Sequence, residues 1–293
     1  MPDSTFHKIA AYPDFSEITL AARNALHPYF KGMEKGISEF TFANIYLFRN
    51  THNYTVSALP GGAYLIAGRD GEETFFMLPS GPAEESFLAG LFLRFDFMKC
   101  VSEGEAALLK GYGYIITEDR DNFDYIYLRK EQADLSGRRF HKKKNLVNLF
   151  VSEYVHSSRP LLKEYIDDAL KALEDWRVER GSEGDYEAAR DALVNCEEVG
   201  LCGYVFYVDG RPAAYTLGEE LGEDTFVVHF EKGLGAFKGL LQFVNQSFAA
   251  LLPDRYLYIN REQDVGDVGL RKSKMSYRPA GFIKKYRAST PRP

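Results

Sequence analysis

Apolar and polar positions along the chain run through one order of elements and then through a similar order again. In the first half, a short apolar stretch over 6–10 predicts a strand, and the pattern over 17–26 predicts a helix. A second helix is predicted over 38–49, with Ser38 as its cap and aromatic residues spaced for a buried face. Three strands follow over 56–59, 63–68 and 73–78, because Pro60-Gly61-Gly62 and Asp70-Gly71 are turn chemistry between apolar runs. Helices over 83–95 and 106–110 and strands over 112–116 and 125–129 complete this half.

The second half opens with apolar residues at 161, 162, 165, 166, 169, 170, 173 and 176, steps of three and four that mark one side of a long helix over 161–179. A helix over 186–198 comes next. Strands over 203–208 and 213–217 flank Asp209-Gly210, a strong hairpin signal, and a third strand covers 225–231. A glycine-containing loop, 233–239, leads into a helix over 240–251. A short buried strand over 256–259, a helix over 268–277 ended by Pro279 and a last strand over 281–286 close the pattern. Two similar α+β units in tandem explain the doubled order, with the seam near 136–158.

Composition narrows the class. The chain has 293 residues, 45% of them apolar, which suits one large or two medium globular domains. Cys100, Cys196 and Cys202 are odd in number and lack C-x-x-C spacing, so neither a disulfide framework nor a zinc knuckle is expected, and a reducing cytoplasm fits. No run approaches the roughly 18 to 20 apolar residues of a membrane-spanning helix, and the first fifteen residues lack the apolar core of a secretory signal. The net charge of −6 is unevenly spread. Residues 268–293 carry eight basic side chains and no acidic one, and Arg138-Arg139-Phe140-His141-Lys142-Lys143-Lys144 forms a second basic knot. Each is either a solvated face or the seat of an anionic ligand.

Candidate chemistry gathers in the second half. Strand alternation puts His229 and Glu231 on one side of the strand over 225–231. Just beyond, Gly233, Gly235 and Gly239 bracket a helix start, where unpaired N–H groups could hold a phosphate or an oxyanion, with Lys238 beside them. Asn260-Arg261-Glu262-Gln263-Asp264 stand at the end of a buried strand, where α/β proteins place ligand crevices. Arg271, Lys274 and Arg278 recur at steps of three and four and would line a cationic stripe, and Tyr277 could serve as acid or oxyanion donor. The bland alternatives are a turn, a surface loop and a packing tyrosine. No phosphate-binding G-x-x-x-x-G-K-[ST], no G-x-S-x-G elbow and no H-E-x-x-H is present, and the six histidines are scattered, so no metal is expected.

The segments Phe230-Glu231-Lys232, Lys238-Gly239, Tyr258-Ile259-Asn260-Arg261-Glu262-Gln263-Asp264 and Gly269-Leu270-Arg271-Lys272-Ser273-Lys274-Met275-Ser276-Tyr277-Arg278-Pro279 resemble the DUF2156 family, which is grouped with the C-terminal domain of bacterial phosphatidylglycerol lysyltransferases. Glu39-Phe40-Thr41-Phe42-Ala43-Asn44-Ile45-Tyr46 and Lys142-Lys143-Lys144-Asn145 are similar to the same family. The resemblance implies an α+β chain of two tandem GNAT-like (acyl-CoA N-acyltransferase-like) domains with central mixed sheets, here 1–140 and 141–293, an arrangement shared with the aminoacyl-tRNA-dependent Fem transferases. Acetyl-CoA-using members of the superfamily commonly show Q/R-x-x-G-x-G/A after the fourth strand. Lys232-Gly233-Leu234-Gly235-Ala236-Phe237 matches it only in part. The membrane-embedded flippase portion of full lysyltransferases has no counterpart in this sequence.

The expectation is therefore a cytoplasmic transferase that moves an acyl or aminoacyl group onto an amine or hydroxyl acceptor in a crevice between the halves. Glu231 or His229 would be the base and Tyr277 the acid. Gly233, Gly235, Lys238 and Gly239 would hold the donor phosphate, and Asn260, Arg261 and Glu262 would orient the acceptor. Arg271, Lys274 and Arg278 would clamp an anion. The donor would be an acyl-CoA or an aminoacyl-tRNA; in the second case the two basic stretches should merge into one surface. A non-catalytic sensor of an anionic small molecule is the remaining alternative, and the oligomeric state is open.

Overall fold

The computed structural model describes residues 9–33 and 36–291. The strand expected over 6–10 lies mostly outside them, as does Arg292. The chain forms two compact units, the first from residues 1–123 together with 283–293 and the second from residues 124–282.

In the first unit, β1 (Ser16–Glu17), β2 (Thr55–Ala58), β3 (Tyr64–Asp70), β4 (Glu73–Met77), β5 (Phe97–Val101) and β6 (Ile115–Glu118) belong to one seven-stranded sheet. The meander β2–β3–β4 follows the two expected turns. Parallel pairing of β4 with β5 makes the sheet mixed. Strand β5 is buried at every position, so it shows no alternation in the sequence. The predicted helix over 38–49 is shorter, Phe42–Leu47, and its cap is Thr41, whose hydroxyl accepts from Asn44 N–H at 3.0 Å; Ser38 is buried and donates to Glu39. Leu65, Phe76, Leu88, Leu91, Met98 and Leu109 form the core.

The second unit contains β7 (Asp124–Leu128), β8 (His156–Pro160), β9 (Cys202–Val208), β10 (Arg211–Glu220), β11 (Thr225–Gly233), β12 (Tyr258–Asn260) and β13 (Gly281–Ile283), in the order β13-β7-β12-β11-β10-β9-β8. Its core packs the helix Leu240–Leu251 on the sheet through Phe206, Phe226, Val244, Phe248 and Ile259. The chain divides between Phe123 and Asp124 rather than at 140/141, because β7 pairs with β12 and the helix Arg129–Asp134 packs on Leu240–Leu251. The single last strand expected over 281–286 is two: β13 stays with the second sheet, and β14 (Tyr286–Ser289) lies between β5 and β6 of the first.

Candidate active site at the split between two parallel strands

Strands β11 and β12 run parallel for three residue pairs, from Thr225 opposite Tyr258 to Val227 opposite Asn260. Beyond that point they part. The chain after Asn260 stays bonded to β7, with Arg261 N–H donating to Tyr125 C=O at 2.9 Å and Tyr125 N–H to Glu262 C=O at 3.2 Å, while β11 runs on to Gly233. Two charge pairs bridge the opening: Arg261 to Glu231 at 2.6 Å and His229 Nδ1 to Glu262 at 2.8 Å.

Two local irregularities aim these side chains. Against β10, Phe230 faces Leu217 and Val228 faces Gly218, so His229 is the extra residue of a bulge. The plain alternation expected for 225–231 is therefore broken at His229. On the other side Glu262 has φ +53°, a left-handed backbone that costs a non-glycine residue on the order of 1 kcal/mol. Consecutive strand residues ordinarily point to opposite faces, and this twist lets both Arg261 and Glu262 meet β11. Asn260 fixes the turn: its side-chain oxygen accepts from Glu262 N–H at 2.8 Å and its amide donates to buried Asp124 at 3.2 Å.

His229, one of the two expected candidates for the base, is bonded to Glu262 through Nδ1. Its Nε2 bonds Glu219 at 3.0 Å, so both ring nitrogens meet carboxylates. Burial would lower its pKa, but Glu262 and Glu219 outweigh burial and raise it to about 10. An imidazolium donating from both nitrogens has no lone pair left to take a proton. Tyr277 is buried, and burial pushes its phenol up to about 12 against the opposing charge of Arg261, so it stays protonated and can donate. Its ring lies 5.7 Å from the Arg261 guanidinium and 3.8 Å from Lys143 Nζ, and its backbone C=O accepts from Gln132 at 3.2 Å.

The expected clamp of three cations is divided. Arg271 turns inward and grips Asp264 with two bonds of 2.9 and 2.7 Å, while Tyr125 donates to the same carboxylate at 2.5 Å. Burial works against the charged form of Asp264, yet these donors hold its pKa at about 2. Lys274 donates to the carbonyls of Arg261 at 2.6 Å, Glu262 at 3.1 Å and Gln263, and burial lowers it to about 8. Both residues thus tie down the 260–264 turn. Arg278 alone of the three is exposed.

The loop expected to cradle a phosphate is largely committed to packing. A side chain at Gly233 would press on Ala214 and Leu241. Gly239 has φ +90° and sits against Leu146 C=O, a close approach that only glycine allows. Gly235 N–H donates to the Glu179 carboxylate at 2.9 Å, so an anion from the protein already occupies that donor. Lys238 is exposed.

Cations gather elsewhere. Arg138, Arg139, Lys142, Lys143 and Arg278, with Leu146 and Ser276, line a cavity of about 780 Å³. Lys143, half-buried over the Tyr277 ring, joins this cavity to the residues at the split. Burial and the neighbouring Arg261 charge lower its pKa to about 8. Lys143 stands in the basic knot read from the sequence, whereas Glu219 has no signal there. A consecutive basic run does not say which of its members is desolvated, and Glu219 reaches His229 only through the strand register.

This architecture recurs in solved structures. A crystal structure of a conserved protein of unknown function from Bacteroides thetaiotaomicron superposes with a TM-score of 0.85 at 29% identity, over 94% of this chain and 99% of that one. The C-terminal domain (DUF2156) of a putative lysylphosphatidylglycerol synthetase from Agrobacterium fabrum gives 0.65 at 11% identity, over 94% and 93%. A tandem GNAT protein from the clavulanic acid biosynthesis pathway gives 0.51 at 11% identity, over 97% and 98%. The fold is that of a tandem GNAT-like protein. Residues 30–289 match the family described as phosphatidylglycerol lysyltransferase, C-terminal, and the chain belongs to that family. An uncharacterized protein of Mycoplasmoides gallisepticum is 24% identical over 185 residues, 59% of this chain; the match spans 57% of the length of that relative. Among the described residues no helix is long and apolar enough to cross a membrane.

Proposed function

We propose that the chain is an aminoacyltransferase that draws its acyl group from aminoacyl-tRNA and passes it to an amine or hydroxyl acceptor. Family membership supports the class of reaction. The observation that carries the choice of donor is the displacement of positive charge: the 233–239 loop holds a carboxylate at Gly235, whereas the knot at 138–143 and Arg278 meet around one cavity. An acyl-CoA pyrophosphate would have to displace Glu179 from that amide.

In this reading the acceptor attacks the ester carbonyl carbon and gives its proton to Glu231, which Arg261 and the 260–264 turn hold in place. The bond from the carbonyl carbon to the ribose oxygen breaks as the Tyr277 phenol supplies a proton to that oxygen. Positioning and hydrogen bonding account for most of the acceleration, with no covalent enzyme intermediate. The test is incubation of the purified protein with labelled aminoacyl-tRNA or labelled acyl-CoA and an extract of lipids and small amines. Label is expected to move from the tRNA. Movement from acyl-CoA alone would overturn the donor, and movement from neither would overturn the activity.

A second reading, a sensor of an anionic molecule, is favoured by one observation: His229, Glu231 and Glu262 are all engaged by protein groups. Glu231→Gln separates the two. Transfer is expected to fall about a hundredfold or more, the usual worth of a positioned base, with donor affinity kept; a sensor would show no transfer to lose.

A further inference from the structure

We propose that Lys143 is a carbon dioxide site: its side-chain amine adds CO2 reversibly, and the cations around it hold the resulting carbamate. This modification goes beyond the transfer reaction and stands without it.

The surroundings of Lys143 suit a nucleophile better than an ammonium ion. Its Nζ lies 3.8 Å from the centre of the Tyr277 ring, and the Arg261 guanidinium stands 5.7 Å from the same ring. Arg138, Arg139, Lys142 and Arg278 line the cavity of about 780 Å³ together with it. Glu231 is taken by Arg261 and Glu131 by Arg139, and among the described residues no carboxylate forms an ion pair with Lys143. The first turn of its helix, His141–Glu153, carries no acidic residue either, so the positive end of the helix dipole is uncompensated there. A half-buried ammonium among these charges is disfavoured, and burial together with Arg261 lowers its pKa from 10.5 to about 8. Near neutral pH roughly a tenth of the Lys143 amines or more therefore carry a free lone pair, against fewer than about one in a thousand for a lysine at 10.5.

The charge of the product selects the electrophile. In the addition, the Nζ lone pair bonds to the carbon of CO2, one C=O electron pair moves onto oxygen, and one N–H proton leaves to solvent. Neutral amine and neutral CO2 thus give a carbamate with one negative charge and one released proton. A cation among cations is replaced by an anion among cations. Repulsion and helix dipole, which both oppose the ammonium, both favour the carbamate. An acyl group, which leaves the nitrogen neutral, would gain only the first half of this reversal. The planar carboxylate of the carbamate matches the paired N–H groups of arginine, and Arg138, Arg139 and Arg278 supply three such forks around the cavity. Lys142 and Lys144 flank Lys143 on the same helix but are exposed, so they serve as internal comparisons.

The experiment equilibrates the full chain with isotope-labelled bicarbonate near neutral pH and follows the carbamate carbon by NMR. In parallel, the carbamate is trapped as its ethyl ester with triethyloxonium and located by peptide mass spectrometry. One carbamate signal is expected, absent from Lys143→Met, with trapping on Lys143 about tenfold or more above that on Lys142 or Lys144. The variant Arg138→Ala/Arg278→Ala removes two of the surrounding cations at exposed positions. It should keep its melting temperature and lose most of the carbamate, because the ammonium becomes easier to keep and the carbamate harder to hold. No signal, a signal that survives Lys143→Met, or equal trapping on the three lysines overturns the site. A yield unmoved by the arginine variant overturns the part given to the surrounding cations.

Discussion

His229 shows how one side chain changes role with its surroundings. An exposed histidine near its ordinary 6.5 is a candidate base at neutral pH; between Glu219 and Glu262 it is a fixed cation with a pKa of about 10. Because the folded-state value lies above the unfolded one, the associated stability is fully present below about pH 6.5 and is lost as pH rises through about 10. Comparing His229→Gln with the wild type in thermal melts across this window is therefore expected to show a gap in Tm that is widest at the acidic end and narrows towards pH 10. A gap independent of pH would mean that the imidazole is held neutral. Lys143 behaves in the opposite sense. Burial and Arg261 depress it to about 8, and a phosphate in its cavity would raise it again, so binding of inorganic phosphate there near pH 8 should take up protons. Calorimetry in buffers of different ionisation enthalpy measures that uptake, which Lys143→Met should abolish.

Among the elements, the helix Leu240–Leu251 depends on the residue before it. Gly239 combines φ +90° with a carbonyl of the neighbouring helix pressed against its α-carbon. Gly239→Ala is expected to destabilise the fold by about 2 kcal/mol or more, combining left-handed strain with the clash. In a urea titration the midpoint should fall while the slope stays the same. This helix was legible in the sequence at both ends, since its apolar spacing and the glycine before it are local signals. The β9–β10 hairpin was legible for the same reason, through Asp209-Gly210. Strand β5 was not, because Phe97-Met98-Lys99-Cys100-Val101 is buried throughout and so shows no alternation, although Asp96 and Ser102 bound it. The site divides in the same way. Glu231, Arg261 and Asn260 stand at strand ends, where a pattern of polar residues after apolar ones is visible. The inward turn of Arg271 and Lys274, the bulge at His229 and its bond to Glu219 depend on contacts between strands and turns, which spacing along one element does not report.

At the scale of the molecule, the return of the chain to its first sheet is secured by charge. Lys285 and Glu39 are both buried and bonded to each other, 246 positions apart in sequence, and Lys285 C=O accepts from Asp119 N–H at 2.9 Å. Lys285→Met strips the buried carboxylate of that cation and is expected to cost about 3 kcal/mol or more; Glu39→Met/Lys285→Met should recover most of it, since a buried ion pair and a well-packed apolar pair are often of similar stability. Denaturant melts of the two variants give the comparison, and a double variant as unstable as the single would show that packing rather than charge is at stake. Strand β14 also has a temporal consequence. Its two neighbours, β5 and β6, are translated some 170 residues before it. While a ribosome makes the entire second unit, the nascent first unit has two strand edges without the strand that joins them, open to chaperones or to other nascent chains until residue 289 has left the exit tunnel.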